Sequence, residues 1–355
     1  MDSRWLLYGA NGYTGALIAR EALQRGLRPV LAGRSEASLR PLADDLGLEV
    51  RVFTLDDGEH IAQQLQGFTL VLNCAGPFSA TAGPMMEACL RAGVHYLDIT
   101  GEIAVFELAQ SLSARAKAAG VVLCPGVGFD VIPTDCLAAL LKAALPDATV
   151  LALGFDTRSG LSAGTAKTSL QGLGQGGKAR RGGKIISVPF AHRLRRIDFG
   201  DGEKLAMTIP WGDVSTAFHT TGIPDIEVYV PTTRGRVALL RVLYRLRRGL
   251  SAGWLQRWLA DRIGRSVRGP DAAQREASPS FVWGEARNAR GEVVTARLRT
   301  ANGYSLTVSG ALAVVAQVLE PAAPLDAGAC TPSQLAGADL VTRLPGSGTV
   351  TLTRR

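Results

Sequence analysis

At 355 residues, 46% of them hydrophobic, the chain has material for two packed domains and is too apolar to be a disordered one. Its 39 basic residues outnumber its 31 acidic ones, but the excess is local. Residues 177–196 hold seven basic and no acidic side chains, and 234–268 hold ten arginines and one aspartate, so the remainder is net acidic and a uniformly basic nucleic-acid binder is excluded.

In chain order, short apolar runs alternate with helical periodicity. Residues 4–8, 29–32, 49–53, 69–73, 94–97 and 121–124 read as strands. Between them, 12–25, 36–46, 58–65, 80–92 and 103–118 space apolar side chains three and four apart and read as helices. This order predicts an α/β fold: a Rossmann-type doubly wound parallel sheet over residues 1–130. One more helix follows at 133–144. Strands are then expected near 149–157, 185–190, 205–209, 226–231, 280–287 and 293–300. They predict a second, α+β domain with a largely antiparallel sheet over residues 131–303. A helix at 305–319 opens the final segment, 304–355, which ends in a short helix and a strand.

Gly9-Ala10-Asn11-Gly12-Tyr13-Thr14-Gly15 follows the first strand and opens the first helix. Gly9 permits the tight turn, Gly12 lets backbone approach a pyrophosphate, and Gly15 lets helix and sheet pack closely. At the end of the second strand, where an acidic residue would hold a free ribose hydroxyl, stand Arg34 and Ser35. A guanidinium there pairs with a 2′-phosphate, so the expected cofactor is NADP. Arg40 reads as a helix-surface residue. Asn73, Ala75, Gly76, Pro77 and Phe78 close the fourth strand, where small residues let the backbone lie along the cofactor.

These motifs, together with His95-Tyr96-Leu97-Asp98-Ile99-Thr100-Gly101-Glu102 and the run from Pro125 to Asp135, resemble the saccharopine dehydrogenase-like family, above all its trans-acting enoyl reductase branch. The stretch Gly164-Thr165-Ala166-Lys167-Thr168-Ser169 and the Thr331-Pro332 signature resemble the same branch. The resemblance implies an NADP-dependent reductase with the C-terminal segment, 304–355, packing back on the Rossmann domain. It also implies an enoyl or lipid-like acyl substrate, presented by a carrier protein or a related lipid. The arginine-rich middle of this chain departs from the family pattern.

Reduction of an enoyl thioester needs a donor for the developing enolate oxygen and a proton for the α-carbon. No Tyr-x-x-x-Lys pair stands where short-chain dehydrogenases carry one. Thr165, Lys167 and Ser169 are the candidate catalytic donors, with an N-cap as the alternative for Thr165. Asp98 and Thr100 after the fifth strand, and Phe129 and Asp130 after the sixth, are candidate substrate contacts. Thr100 and Glu102 read equally well as caps of the following helix, and Thr134 and Asp135 as a helix start. His192 and His219 read as surface residues, and no metal site is expected. Two further readings stay open: C–N chemistry on amino acids, as in saccharopine formation, and a non-catalytic NADP-binding scaffold at a lipid surface.

Arginines interleaved with apolar residues at 236–248 and 253–265 suggest two amphipathic helices, suited to a helical hairpin, an anionic membrane surface or an acidic acyl carrier protein. Residues 172–184, rich in glycine and basic side chains, read as a loop able to close over substrate. Five dispersed cysteines, no signal-peptide pattern after Met1 and no apolar run near ~18 residues point to a cytoplasmic protein, peripheral at the membrane if residues 234–268 bind one. A homodimer is left open as the assembly.

Overall fold

The protein is described by a computed structural model covering residues 4–157, 176–245 and 278–355. The chain divides into two compact units, Met1–Ile132 with Tyr304–Pro345, and Pro133–Gly303 with Gly346–Arg355.

The first unit is built on a parallel sheet. Its strands are β1 (Trp5–Tyr8), β2 (Val30–Gly33), β3 (Val50–Val52), β4 (Leu70–Asn73), β5 (His95–Asp98), β6 (Val122–Cys124) and β15 (Gly328–Ala329), in the order β15-β6-β5-β4-β1-β2-β3. β1, β2 and β4 are buried at every position, the pattern of strands covered on both faces. The connecting helices are α1 (Tyr13–Gln24), α2 (Glu36–Leu46), α3 (Gly58–Gln64), α4 (Phe78–Ala92), α5 (Ile103–Ser111) and α6 (Ser113–Ala119). The single helix expected over 103–118 is therefore two. The Ser111 hydroxyl donates to Leu108 O and so competes with the helical ladder at the break, while Ser113 Oγ accepts Ala329 N and ties the start of α6 to β15. Helix α10 (Gly303–Leu319) is apolar nearly all round, and Leu306, Ala311, Val314 and Val315 are buried in the unit. β15, with two residues, is too short to leave a periodic signal, yet it extends the sheet beside β6.

The second unit holds most of α7 (Ile132–Ala144) and a twisted sheet. Its strands are β7 (Ala148–Thr157), β8 (Gly177–Arg181), β9 (Lys184–Val188), β10 (Leu194–Asp198), β11 (Glu203–Ile209), β12 (Asp225–Pro231), β13 (Ser280–Asn288), β14 (Val293–Thr300) and β16 (Thr351–Arg354). The main path runs β10-β11-β12-β7-β13-β14-β16, antiparallel except where β12 meets β7, and β8 joins β12 while pairing with β9. Ala152, Ile197, Phe199, Ala206, Tyr229 and Trp283 form a small core on one face. On the other, Leu141 of α7 packs over Gly284.

Three expectations are corrected here. From Gly177 onward the expected closing loop is the β8–β9 hairpin, turned by Gly182-Gly183 at φ 53° and 77°, a conformation that suits a two-residue hairpin turn. His219 lies in a helix, α8 (Asp213–Thr221), instead of a polar loop; four of its nine residues are Ser or Thr, and burial against β12 outweighs their weak helix propensity. Residues 346–355 do not join the first unit: β16 pairs with β14 and supplies partners for an otherwise open strand edge. Helix α9 (Arg234–Arg245) matches the first basic amphipathic segment, and 253–265 lies outside the described residues.

Candidate functional site

The strand order of the first unit reverses at β1, which pairs with β2 on one side and β4 on the other. In such sheets the crevice beyond the carboxyl ends at this point takes the ligand. The turn after β1 is stitched to both neighbours: Gly9 N donates to Ala32 O at 2.8 Å, and Cys74 N to Tyr8 O at 2.8 Å. Gly9 has φ +78°, and a Cβ there would sit 2.7 Å from Ala75 N; at Gly15 it would sit 2.5 Å from Gly9 O. Helix α1 thus starts as close to the sheet as backbone allows. Its N-cap, Gly12, offers no side chain, so no cap side chain competes for the first turn of α1, the end of the helix that suits a phosphate.

Helix α4 begins differently. Glu102 reaches across from the start of α5, accepting Phe78 N at 2.9 Å and Ser79 N at 2.8 Å. A carboxylate already fills that amide cradle, which leaves the α1 turn as the place for a pyrophosphate. Glu102 thus caps its neighbour's helix, and nothing in local sequence spacing marks a cap supplied across 24 residues. Thr100 Oγ1 accepts Glu102 N at 3.0 Å, so Thr100, fully buried, fixes the entry to α5.

Arg34 stands exposed at the end of β2 and forms no ion pair with a described residue. Its charge reaches the Tyr8 hydroxyl, whose pKa burial nonetheless raises. Arg40 pairs with Glu36 on the surface of α2, as expected of it, and Ser35 Oγ shares a hydrogen bond with Ser38 Oγ at 3.0 Å. Asn11 Oδ1 lies beside Gly33, and Tyr13 meets Tyr304 of α10 edge-on, with centroids 5.2 Å apart. An uncapped α1, a glycine cradle and an uncommitted guanidinium one strand away fit a dinucleotide with a phosphorylated ribose.

The three loops after β4, β5 and β6 are tied together by a buried polar chain. Asn73 Oδ1 accepts Ala75 N at 3.0 Å, and its amide donates to Thr81 Oγ1 at 3.2 Å and Tyr96 OH at 3.3 Å. Tyr96 OH donates to Asp98 Oδ2 at 2.7 Å, while Asp98 Oδ1 accepts Thr100 N and Gly126 N, both at 2.9 Å. Burial pushes the Asp98 carboxyl up to about 6, against the pull of these three hydrogen bonds. Asp98 therefore sits inside the wall of the site as a brace. Tyr96 was named in sequence only as part of a motif; its role follows from its alternation with Asp98 on one face of β5.

Phe129 is buried and its N–H donates to Thr307 Oγ1 of α10 at 3.0 Å, anchoring the loop after β6. Asp130 packs against Gly101, where a methyl group would lie 2.8 Å from Oδ2, and burial raises its carboxyl to about 7. The loops Gly9–Gly15, Asn73–Phe78, Asp98–Glu102 and Pro125–Asp130 thus converge at one edge carrying Asp98, Glu102 and Asp130. Arg34 is the cation at the neighbouring strand end.

Thr165, Lys167 and Ser169 lie outside the described residues. Asp135 of α7 accepts from Thr220 of α8, a bond within the second unit. His192 is not a surface residue: Nδ1 lies 2.9 Å from Thr208 Oγ1 and Nε2 3.3 Å from Glu227 Oε1, because β10 brings it over the sheet face.

Residues 5–124 match the family model "Saccharopine dehydrogenase NADP binding domain". The human saccharopine dehydrogenase-like oxidoreductase is 30% identical over 151 residues, covering 37% of this chain and 35% of that protein. A trans-acting enoyl reductase of Mycobacterium ulcerans is 32% identical over 141 residues, covering 37% and 33%. The matched stretch thus spans about a third of each curated relative's length. Apo saccharopine dehydrogenase (L-Glu forming) from Saccharomyces cerevisiae shares the fold over 99% of this chain and 100% of its own, with a TM-score of 0.66 at 12% identity. Residues 5–124, which carry the glycine cradle, Arg34 and the loops after β4 and β5, are thus similar to a saccharopine dehydrogenase NADP-binding domain, and the arrangement fits a nicotinamide dinucleotide.

Proposed function

We propose that the chain is an NADPH-dependent oxidoreductase that reduces the carbon–carbon double bond of an enoyl or other lipid-like acyl substrate. The observation that carries this reading is the charge of the converging loops. Beyond Arg34, those loops present three carboxyl groups and no cation among the described residues. An amino-dicarboxylate substrate would need guanidinium or ammonium partners there, whereas an uncharged acyl group needs none. The 32% identity to a trans-acting enoyl reductase over the same unit supports the reading.

The cofactor, when bound, supplies a hydride to the β-carbon. This chain's residues supply the rest. Asp130, held near neutrality by burial, gives its proton to the α-carbon and is reprotonated from solvent. The Asn73–Tyr96–Asp98 chain holds the three loops so that the reacting groups keep their spacing. Thr165, or the Ser169 hydroxyl near it in sequence, is the proposed donor to the acyl carbonyl oxygen.

The test is NADPH oxidation followed with enoyl thioesters of increasing chain length, in parallel with amino acid and keto acid pairs. Turnover of the thioesters alone is expected. Turnover of the amino acid pairs alone overturns the substrate class in favour of C–N chemistry. NADPH binding without turnover of either set overturns the enzymatic reading in favour of a scaffold.

A further inference from the structure

We infer that helix α9 is a docking surface for an anionic phospholipid membrane. The helix packs inward through Val237, 4% exposed, and through Arg241, whose Nη2 donates to Ala191 O at 3.3 Å. Its outer face is different. Leu239 and Val242 are 58% and 51% exposed, more than any other large apolar side chain among the described residues. They lie three residues apart, and Ala238, also exposed, lies four before Val242, so the three form one apolar stripe along the helix. Arg234 and Arg236 are exposed in the first turn of the same helix, and it carries no acidic residue. Across 234–268 the sequence holds ten arginines against one aspartate.

The charge selects an anionic partner, and the shape selects a lipid one. A stable protein interface buries on the order of 1,000 Å² or more with matched shape. Two or three apolar side chains on a convex helix offer far less. A bilayer needs no shape match: the stripe sinks into the headgroup boundary while each flanking arginine gains from the negative surface potential. The inference is independent of the substrate reading, since it concerns the second unit and needs no turnover.

The experiment is flotation of the full chain with phosphatidylcholine vesicles, with and without phosphatidylglycerol. Binding is expected to be at least about tenfold tighter to the anionic vesicles and to weaken as salt is raised. The double variant Leu239→Asp/Val242→Asp is expected to lose this binding with an unchanged melting temperature, both positions being exposed. Val52→Asp, an exposed apolar position in the first unit, is expected to bind as the parent does. Equal binding to both vesicle types, no binding to either, or undiminished binding by the double variant overturns the inference. So does retention by an acidic acyl carrier protein in the absence of vesicle binding.

Discussion

Asp98 in the first unit and Glu227 in the second are both strand carboxylates with almost no exposed surface, yet they keep different company. Glu227 pairs with Arg181, lies 3.3 Å from both His192 Nε2 and Arg193 Nε, and accepts Tyr229 OH at 2.5 Å. Around it the same face repeats the pattern, with Lys204 on Asp156 at 2.5 Å and Arg195 on Glu285 at 3.0 Å. Arg195, Asp198, Glu285 and Arg297 line a groove there, in which Arg195 is matched by Glu285 and Arg297 by Asp198. Asp98 meets only neutral donors, a phenol and two amides. Glu227, Asp156 and Glu285 are held by cations, whereas burial raises the Asp98 and Asp130 carboxyls to about 6 and about 7. Asp98 is a brace whose charge follows pH, and Asp130 is the carboxyl to which the proposed chemistry is assigned.

The sharpest break of this comparison is at Asp130. Asp130→Asn is expected to lower kcat by about 10²- to 10⁴-fold, the usual weight of a positioned general acid, while the NADPH Kd stays within about twofold. In the parent chain the proposed turnover should fall as pH rises through about 7, because the proton-bearing form is then lost. Stopped-flow rates and a binding titration check both, and a Kd that worsens as much as kcat would reduce Asp130 to a structural residue.

Next in size is the contrast in stability. Glu227→Ala strands Arg181, Arg193 and His192 beside a buried gap and should cost about 3 kcal/mol or more. Asp98→Asn removes a charge that no cation balances and should cost less than about 1 kcal/mol at neutral pH. Urea unfolding of the two variants would erase the distinction between the units if their losses were equal.

Arg34 sharpens the comparison from the cofactor side, being the one uncommitted cation near the edge among the described residues. Arg34→Asp should weaken NADPH by about 100-fold, as expected for loss of a charge-assisted contact, and NADH by no more than about threefold. Equal weakening of both would remove the 2′-phosphate assignment.

How much of this was legible in advance differs by unit for a physical reason. In the first, apolar strands buried on both faces and amphipathic helices write their periods plainly, so β1 to β6 and the glycine turn fall where sequence puts them. The second unit's β8 and β10 are read poorly because Lys178, Arg180, Arg195 and Arg196 break the apolar alternation, their cost being met by partners distant in sequence. Arg180 is buried yet satisfied by Val214 O and Gly183 O, which no local pattern can announce. The same holds at the site. Gly9, Gly12, Gly15 and Arg34 act through local geometry and could be named, whereas Glu102 on α4 and Tyr96 on Asp98 act through contacts that only the folded sheet creates.

Tyr96 gives the smallest effect and the finest test. Because Asp98 holds its proton more tightly folded than unfolded, its contribution to stability is full below about 4 and is lost as pH rises through about 6. The Tyr96 hydroxyl opposes that loss by donating to the ionised carboxylate. Tyr96→Phe should therefore cost about 1–2 kcal/mol at pH near 8, where Asp98 is charged, and visibly less at pH near 5, where it is largely neutral. Thermal unfolding at the two pH values reads the difference. A pH-independent loss would mean that Asp98 does not change charge in this range, and the proton-adjustable edge would then rest on Asp130 alone.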